Sequence, residues 1–94
     1  MDVRRRIDGY HYTELNRMSA RAMASGDFRK AYDLAYESFG QRRTDDAATL
    51  LGKLNCELGC PAKAARMAKL SRAPVREAIV AYCAARGVTL TLEE

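Results

Sequence analysis

The two prolines of this chain both mark the beginning of a predicted helix, and this constrains how the second half can fold. Proline is tolerated in the first turn of an α-helix, where its missing N–H has no intrahelical partner, and is disfavoured deeper inside. Pro61 therefore predicts one helix, and Pro74 predicts a second helix that ends at Gly87. Residues 60–87 are expected to form two helices joined by a very short turn near Lys69, the layout of a helix-turn-helix.

Three further helices are predicted upstream, each with a polar residue at its start and a glycine at its end. The first runs from Thr13 to Gly26, and the second runs from Asp27 to Gly40. The third begins at Thr44 and ends at Gly59, with buried Ala47, Leu51, Leu54 and Leu58. The second helix has the clearest 3.6-residue periodicity, an apolar stripe formed by Phe28, Ala31, Tyr32, Ala35 and Phe39.

The fold class predicted from this pattern is all-α, a compact bundle of four to five helices in a single domain covering residues 1–94. Residues 1–9, with Arg4, Arg5 and Arg6, are expected to form a flexible arm. Residues 13–59 would be the helical platform and residues 60–87 the helix-turn-helix. In the tail, residues 88–94, the alternation of Val88 to Leu92 is typical of a short strand. It could pair with the arm, with a second subunit, or with nothing.

Composition indicates a soluble chain outside the secretory route. Hydrophobic residues make up 48% and charged residues 30% of the sequence. There is no apolar run of the ~18 residues that a membrane span needs, and no apolar segment follows the charged N-terminus as in a secretory signal. A cytoplasmic location without membrane contact is therefore expected.

Three cysteines are an odd number, which favours reduced thiols over a disulfide framework. Cys56, Cys60 and Cys83 could form a structural zinc site together with His11. Their spacing matches no usual zinc ligand pattern, however, so small buried thiols are expected instead. The sequence predicts neither a metal nor a cofactor.

Positive charge is concentrated on the predicted helix-turn-helix. Residues 61–86 carry six basic side chains against Glu77 alone, whereas the first sixty residues carry ten basic and nine acidic side chains. A basic surface on such a unit suits contact with phosphates, although a solvated, charge-rich helix face would produce the same composition.

The apolar offsets of this region also suit two crossing helices. Ala65 is small enough for a close crossing, while Ala64, Ala68, Leu70, Val75 and Ala78 are expected to pin the pair. Exposed basic groups would then contact DNA. The candidate DNA-binding residues are Lys63, Arg66, Lys69, Ser71, Arg72, Ala73 and Arg76.

The segment LSRAPVREAI, residues 70–79, resembles the recognition helix of the GntR superfamily of bacterial transcription regulators, typically written V-S-R-T-P-V-R-E-A-L. The resemblance implies that Ser71, Arg72 and Arg76 occupy positions that contact DNA, with Ala73 in place of the usual threonine. It implies a helix-turn-helix of similar local design, without the effector domain of that family.

A second local resemblance supports an alternative. The turn SGDFRKA and the alanines after it, Ser25 to Ala35, resemble the Gly-Asp-aromatic-x-x-Ala turn of tetratricopeptide repeats. No second copy is expected at the 34-residue period of those repeats. The alternative is a small helical protein-interaction module, such as an adaptor, a chaperone or a phage-encoded inhibitor, that does not bind DNA and uses exposed Tyr and Met side chains.

An enzyme is not expected, since His11 has no Asp or Cys companion nearby in the sequence and no glycine-rich phosphate loop is present. The first prediction is a small, sequence-specific transcription regulator of bacterial or phage type. It would bind double-stranded DNA as a homodimer and read the major groove with the helix that begins near Pro74.

Overall fold

Five α-helices make up most of the chain in a computed structural model, which describes residues 9–92. They are α1 (Tyr12–Ala24), α2 (Phe28–Gln41), α3 (Asp45–Glu57), α4 (Pro61–Lys69) and α5 (Ala73–Ala85). The all-α prediction is confirmed for this range. The predicted Arg4–Arg6 arm lies outside the described residues.

The helices begin and end close to the capping residues predicted from the sequence, with two differences. Asp27 accepts from the Lys30 N–H at 3.3 Å, and Thr44 accepts from the Ala47 N–H at 3.1 Å, both as expected for N-caps. The cap of α1 is His11 rather than Thr13, because the His11 ring accepts from the Thr13 N–H. Gly40 does not end α2, which continues to Gln41 with regular backbone geometry.

Buried hydroxyl groups hold α1 and α2 together. The Ser19 hydroxyl donates to the Ala31 carbonyl oxygen at 2.7 Å, and the Ser38 hydroxyl donates to Asn16 Oδ1 at 2.6 Å. Both serines are fully buried. Small side chains that satisfy their own polar groups allow the two backbones to approach closely without leaving an unpaired donor in the core.

A second hairpin, α3–α4, repeats the layout of α1–α2 at an offset of 33 residues. The glycine after each first helix has a positive φ, 86° in one and 76° in the other, and the matched alanines of each second helix are fully buried. The matched pairs are Gly26 and Gly59, Ala31 and Ala64, and Ala35 and Ala68. The Gly-Asp-aromatic motif of Ser25–Ala35 has no second copy in the sequence, but the hairpin geometry that accompanies it does repeat. The repeat was hidden because Cys60-Pro61 replaces Asp27-Phe28.

The helices stack in an elongated array. Each helix contacts its neighbours in the sequence, and α3 also contacts α1 on one side and α5 on the other. The array measures 43 × 24 × 17 Å. Where α3 meets α5, Gly52 faces Ile79, which is fully buried. None of the helices in the described range is long and apolar enough to span a membrane.

The predicted C-terminal strand is not formed, since residues 9–92 contain no strand. Val88, Leu90 and Leu92 instead pack against the core cluster of α3, α4 and α5. Their alternation arises because one side of an extended segment lies on that core, and no neighbouring strand is needed. Residues 88–92 therefore cover part of this core cluster.

The three cysteines are not all reduced, contrary to expectation. Cys56 of α3 and Cys83 of α5 form a disulfide, with their Cα atoms 5.7 Å apart, and Cys60 is a half-buried free thiol. The odd number of cysteines did not identify the bonded pair, because the proximity of residues 56 and 83 depends on how α5 packs on α3. The bond also removes two ligands from the alternative zinc site with His11.

Candidate functional site

Three of the predicted DNA-binding side chains lie along the outer face of α4. Lys63, Arg66 and Lys69 are spaced three residues apart and are exposed. None of them forms an ion pair with another described residue. We refer to these three as the α4 basic stripe. Residues three apart on a helix are neighbours, so the stripe presents its charges on one broad face.

Arg72 lies in the turn between α4 and α5 and reaches across to the start of α3. Its Nη2 is 2.7 Å from Asp45 Oδ2, and about three quarters of its side chain is exposed (76%). An exposed ion pair of this kind contributes only ~0–1 kcal/mol. Arg72 can therefore exchange Asp45 for an anion supplied by a ligand at little cost.

The Arg76 side chain forms hydrogen bonds within the protein. Its Nη2 donates to the Ser71 carbonyl oxygen at 3.0 Å, and its Nε lies 3.4 Å from the Ala68 carbonyl oxygen. The Ser71 hydroxyl in turn donates to the Met67 carbonyl oxygen at 2.6 Å. Both side chains thus bond to carbonyl groups at the C-terminal end of α4 and in the turn after it, in addition to the backbone bond from the Ser71 N–H to the Ala68 carbonyl oxygen.

The exposed face of α5 has few groups that could read bases. Direct readout in the major groove relies on side chains such as Arg, Lys, Asn and Gln. On this face the exposed residues are Ala73, Pro74, Glu77, Ala81, Ala84 and Ala85. Glu77 is its one polar side chain. Ala73, a predicted contact residue, is the first residue of the helix and offers only a methyl group.

Next to the turn lies a groove of about 340 Å³ between the end of α2, the start of α3 and the end of α4. Phe39, Ala48, Met67 and Leu70 supply its apolar surface, and Arg43, Thr44, Asp45, Ser71 and Arg72 supply its polar one. We refer to it as the α2–α4 groove. It shares Phe39 and Arg43 with a second depression of about 390 Å³ formed by Tyr36, Gly40, Gln41 and Arg42.

The two most exposed large apolar side chains of the described chain belong to these depressions. Leu70 is 74% exposed and Tyr36 is 64% exposed. Leu70 was expected to pin the crossing of α4 and α5, but Val75 is buried in that role and Leu70 points to the groove. Tyr36 is held by stacking on Tyr32, with ring centroids 6.0 Å apart.

Arginines surround this apolar surface. The Arg43 guanidinium lies 5.5 Å from the centre of the Phe39 ring, and that of Arg42 lies 5.8 Å from the centre of the Tyr12 ring. No described carboxylate pairs with either of them. In the α2–α4 groove, Arg43 and Arg72 give two positive charges against Asp45, and Arg42 lies in the adjoining depression, so the formal charge of the lining suits an anion.

A separate polar cluster joins the end of α3 to α5 beside the disulfide. The Tyr82 hydroxyl and Arg86 Nε both donate to Glu57 Oε2, the latter at 2.5 Å, and the Arg86 guanidinium lies 3.9 Å from the centre of the Tyr82 ring. Burial, followed by the hydrogen bond to Glu57, raises the pKa of Tyr82 to about 12. The hydrogen bonds from Tyr82 and Arg86 lower the pKa of Glu57, against the opposite effect of burial. Its members satisfy one another, so the cluster stabilises the packing of α5.

No family model, curated protein or solved structure matches the chain.

Sequence reasoning located the basic residues but missed the groove. Arg72 and Asp45 are 27 positions apart, and Phe39 and Leu70 belong to different hairpins, so no local pattern places them together. The available signal was the 33-residue correspondence of the two hairpins, which predicts that α2 and the end of α4 lie in the same stack.

Proposed function

We propose that this chain is a helical-hairpin module that binds another protein through the α2–α4 groove. The observation that carries the proposal is the repetition of one hairpin design at a 33-residue offset, with Gly26 and Gly59 in matching left-handed conformations. Tandem helical hairpins bury their cores between neighbouring units and leave extended surfaces for partners. The layout is similar to that of tetratricopeptide repeats, the alternative favoured by the turn at residues 25–35.

The composition of the groove supports a protein partner. Leu70 and Tyr36 are large apolar side chains that remain exposed, and each lines one of two depressions that share Phe39 and Arg43. Tyr, Met and Arg are also enriched in protein interfaces, and Tyr36, Met67 and Arg43 line the two depressions.

Affinity capture from nuclease-treated extract of the source cells tests this proposal. The immobilised chain should retain a protein in stoichiometric amount, and nuclease treatment should not reduce the amount retained. If no protein is retained, or if retention disappears with the nucleic acid, the proposal is wrong.

A second candidate function is the sequence-specific regulator predicted above, and the observation that favours it is the α4 basic stripe. Lys63, Arg66 and Lys69 share a face next to Arg72, so a phosphate backbone could lie along α4. In this case a homodimer would bind two half-sites, and Arg72 rather than the internally bonded Arg76 would be available to bases.

Mobility-shift titration with random and genomic duplexes over a salt series tests the second candidate. A regulator gives binding at low salt, a steep decrease in affinity with salt, and a preference among duplexes. Absence of duplex binding at low salt excludes it. Lys63→Glu should abolish such binding, whereas it lies outside the groove and should leave capture of a protein partner unchanged.

A further inference from the structure

We propose that the partner segment bound in the α2–α4 groove is an acidic peptide that carries apolar side chains. This inference rests on the proposed function and names the chemistry of its partner. The groove offers two features to a ligand, an apolar floor and a cationic rim, and both must be matched by one occupant.

The floor requires apolar side chains. Phe39 and Met67 are half-buried and Ala48 is 7% exposed, so the base of the groove presents carbon atoms from three helices. Leu70 stands at its edge and is exposed. Covering this surface gains roughly 25 cal/mol per Å² of apolar area removed from water, which a purely ionic ligand does not provide.

The rim requires negative charge. Arg43 lies on the α2–α3 connection and Arg72 lies on the α4–α5 turn, so the two guanidinium groups line the same groove from different connections. Arg42 adds a third positive charge in the adjoining depression. Asp45 pairs with Arg72, whereas Arg43 in the groove and Arg42 beside it have no described carboxylate partner and can bind the carboxylates of a ligand.

The guanidinium groups are also positioned for carboxylates. Arg43 is supported by the Phe39 ring, and an arginine on an aromatic face keeps its N–H groups directed outward in the plane of the guanidinium. Planar guanidinium groups bind carboxylates through paired hydrogen bonds. An acidic side chain of the ligand can bind Arg43, and another can replace Asp45 at Arg72.

A peptide fits both features better than a nucleic acid duplex does. The phosphates of a duplex would form ion pairs with the arginines of the rim. They offer no apolar group to contact Leu70 or the floor formed by Phe39 and Met67. An extended or helical peptide with glutamates around a leucine and a phenylalanine supplies both types of contact along one segment.

Fluorescence anisotropy with labelled synthetic peptides tests the inference. The probe is a short, glutamate-rich peptide with one leucine and one phenylalanine three positions apart. Two control peptides have lysine in place of each glutamate, or serine in place of both apolar residues. We expect saturable binding of the probe by the wild-type chain and at least roughly tenfold weaker binding of each control peptide, a difference of ~1.4 kcal/mol.

Matched protein variants locate the binding. Arg43→Glu and Leu70→Ser should each weaken binding of the probe about tenfold, whereas Lys63→Glu, a charge reversal outside the groove, should change it less than about twofold. Circular dichroism of each variant checks that the helices are intact. Equal binding of the lysine peptide, absence of probe binding, or an equal loss with Lys63→Glu would overturn the inference.

Capture experiments with the Arg43→Glu variant distinguish an error in the peptide chemistry from an error in the proposed function. If the wild-type chain captures a protein from extract and Arg43→Glu captures it equally well, the chain is an interaction module but the groove does not select acidic segments. If the wild-type chain captures no protein at all, the proposed function itself is wrong.

Discussion

Gly52 of α3 lies so close to Ile79 of α5 that a Cβ at position 52 would overlap the isoleucine side chain. Ser19, 33 residues earlier, occupies the matching position of α1 and is also fully buried. The small residues lie at different contacts, since Ser19 bonds to the Ala31 carbonyl oxygen of α2 and Gly52 faces Ile79 of α5. The contact between Gly52 and Ile79 therefore sets how the last helix joins the array.

Gly52→Ala should destabilise the chain. Overpacking of a filled core costs about 1–3 kcal/mol, and the better helix propensity of alanine offsets up to ~1 kcal/mol of this loss. The free energy of unfolding, measured by urea denaturation, should fall. Gly40→Ala is the matched control, because Gly40 is also helical and a Cβ there meets no atom within 4 Å. It should leave stability unchanged or raise it, and a Gly52→Ala chain as stable as the wild type would contradict the packing.

Reduction of the Cys56–Cys83 disulfide should lower stability. The bond closes a loop across 27 positions and ties α5 to α3, so the chain-entropy estimate gives about 3.5 kcal/mol. Denaturation with and without dithiothreitol measures the difference, and Cys60→Ser should retain it. Thiol titration of the native oxidised chain should find one free cysteine. Three reactive thiols after gentle oxidation would show that the pair does not form.

Tyr82 should ionise at a higher pH than an ordinary tyrosine. Its phenol is protonated up to a pKa of about 12 in the folded chain, against 10.0 for an ordinary tyrosine. Because the folded state holds this proton more tightly, its contribution to stability is complete below pH 10 and is lost as the pH rises towards 12. Absorbance titration of tyrosinate should show a late component that is missing in Tyr82→Phe. If all tyrosines of the wild-type chain ionise near pH 10, the burial of Tyr82 and its hydrogen bond to Glu57 are contradicted.

Arg76→Ala should loosen the turn between α4 and α5. The substitution removes donors from the Ser71 and Ala68 carbonyl oxygens, with an expected loss of about 1–2 kcal/mol in the free energy of unfolding. Arg66→Ala, on the exposed face of α4, is the control and should change stability by less than ~0.5 kcal/mol. Equal effects of the two variants would show that Arg76 is a surface residue.

Capping residues and glycines in the sequence predicted most helix boundaries. They did not predict contacts between residues that are distant in the sequence. Asp27 and Thr44 cap helices as expected, and Gly59 and Gly87 follow helix ends with positive φ. These features depend on neighbouring residues only. The hydrogen bonds of Arg76 to the Ser71 and Ala68 carbonyl oxygens could not be predicted in this way, because an arginine one turn into a helix looks the same whether it faces solvent or the preceding helix.

The candidate groove was hidden for a related reason. A leucine in a short turn is normally a core residue, and Leu70 was placed there by analogy with helix-turn-helix units. Val75 and Ile79 are buried in the core cluster shared by α3, α4 and α5, and Leu70 remains outside this cluster. Which apolar side chain remains exposed depends on how much of the core volume other side chains already fill. The order of residues in the sequence does not give that volume.

The most direct measurement is capture from nuclease-treated extract with three chains side by side: wild type, Leu70→Glu and Lys63→Glu. Leu70→Glu places a charge in the α2–α4 groove, and Lys63→Glu alters the α4 basic stripe outside it. We expect wild type and Lys63→Glu to retain the same protein in stoichiometric amount and Leu70→Glu to retain none of it. Retention of that protein by Leu70→Glu, or its loss with Lys63→Glu alone, would show that the α2–α4 groove is not the binding surface.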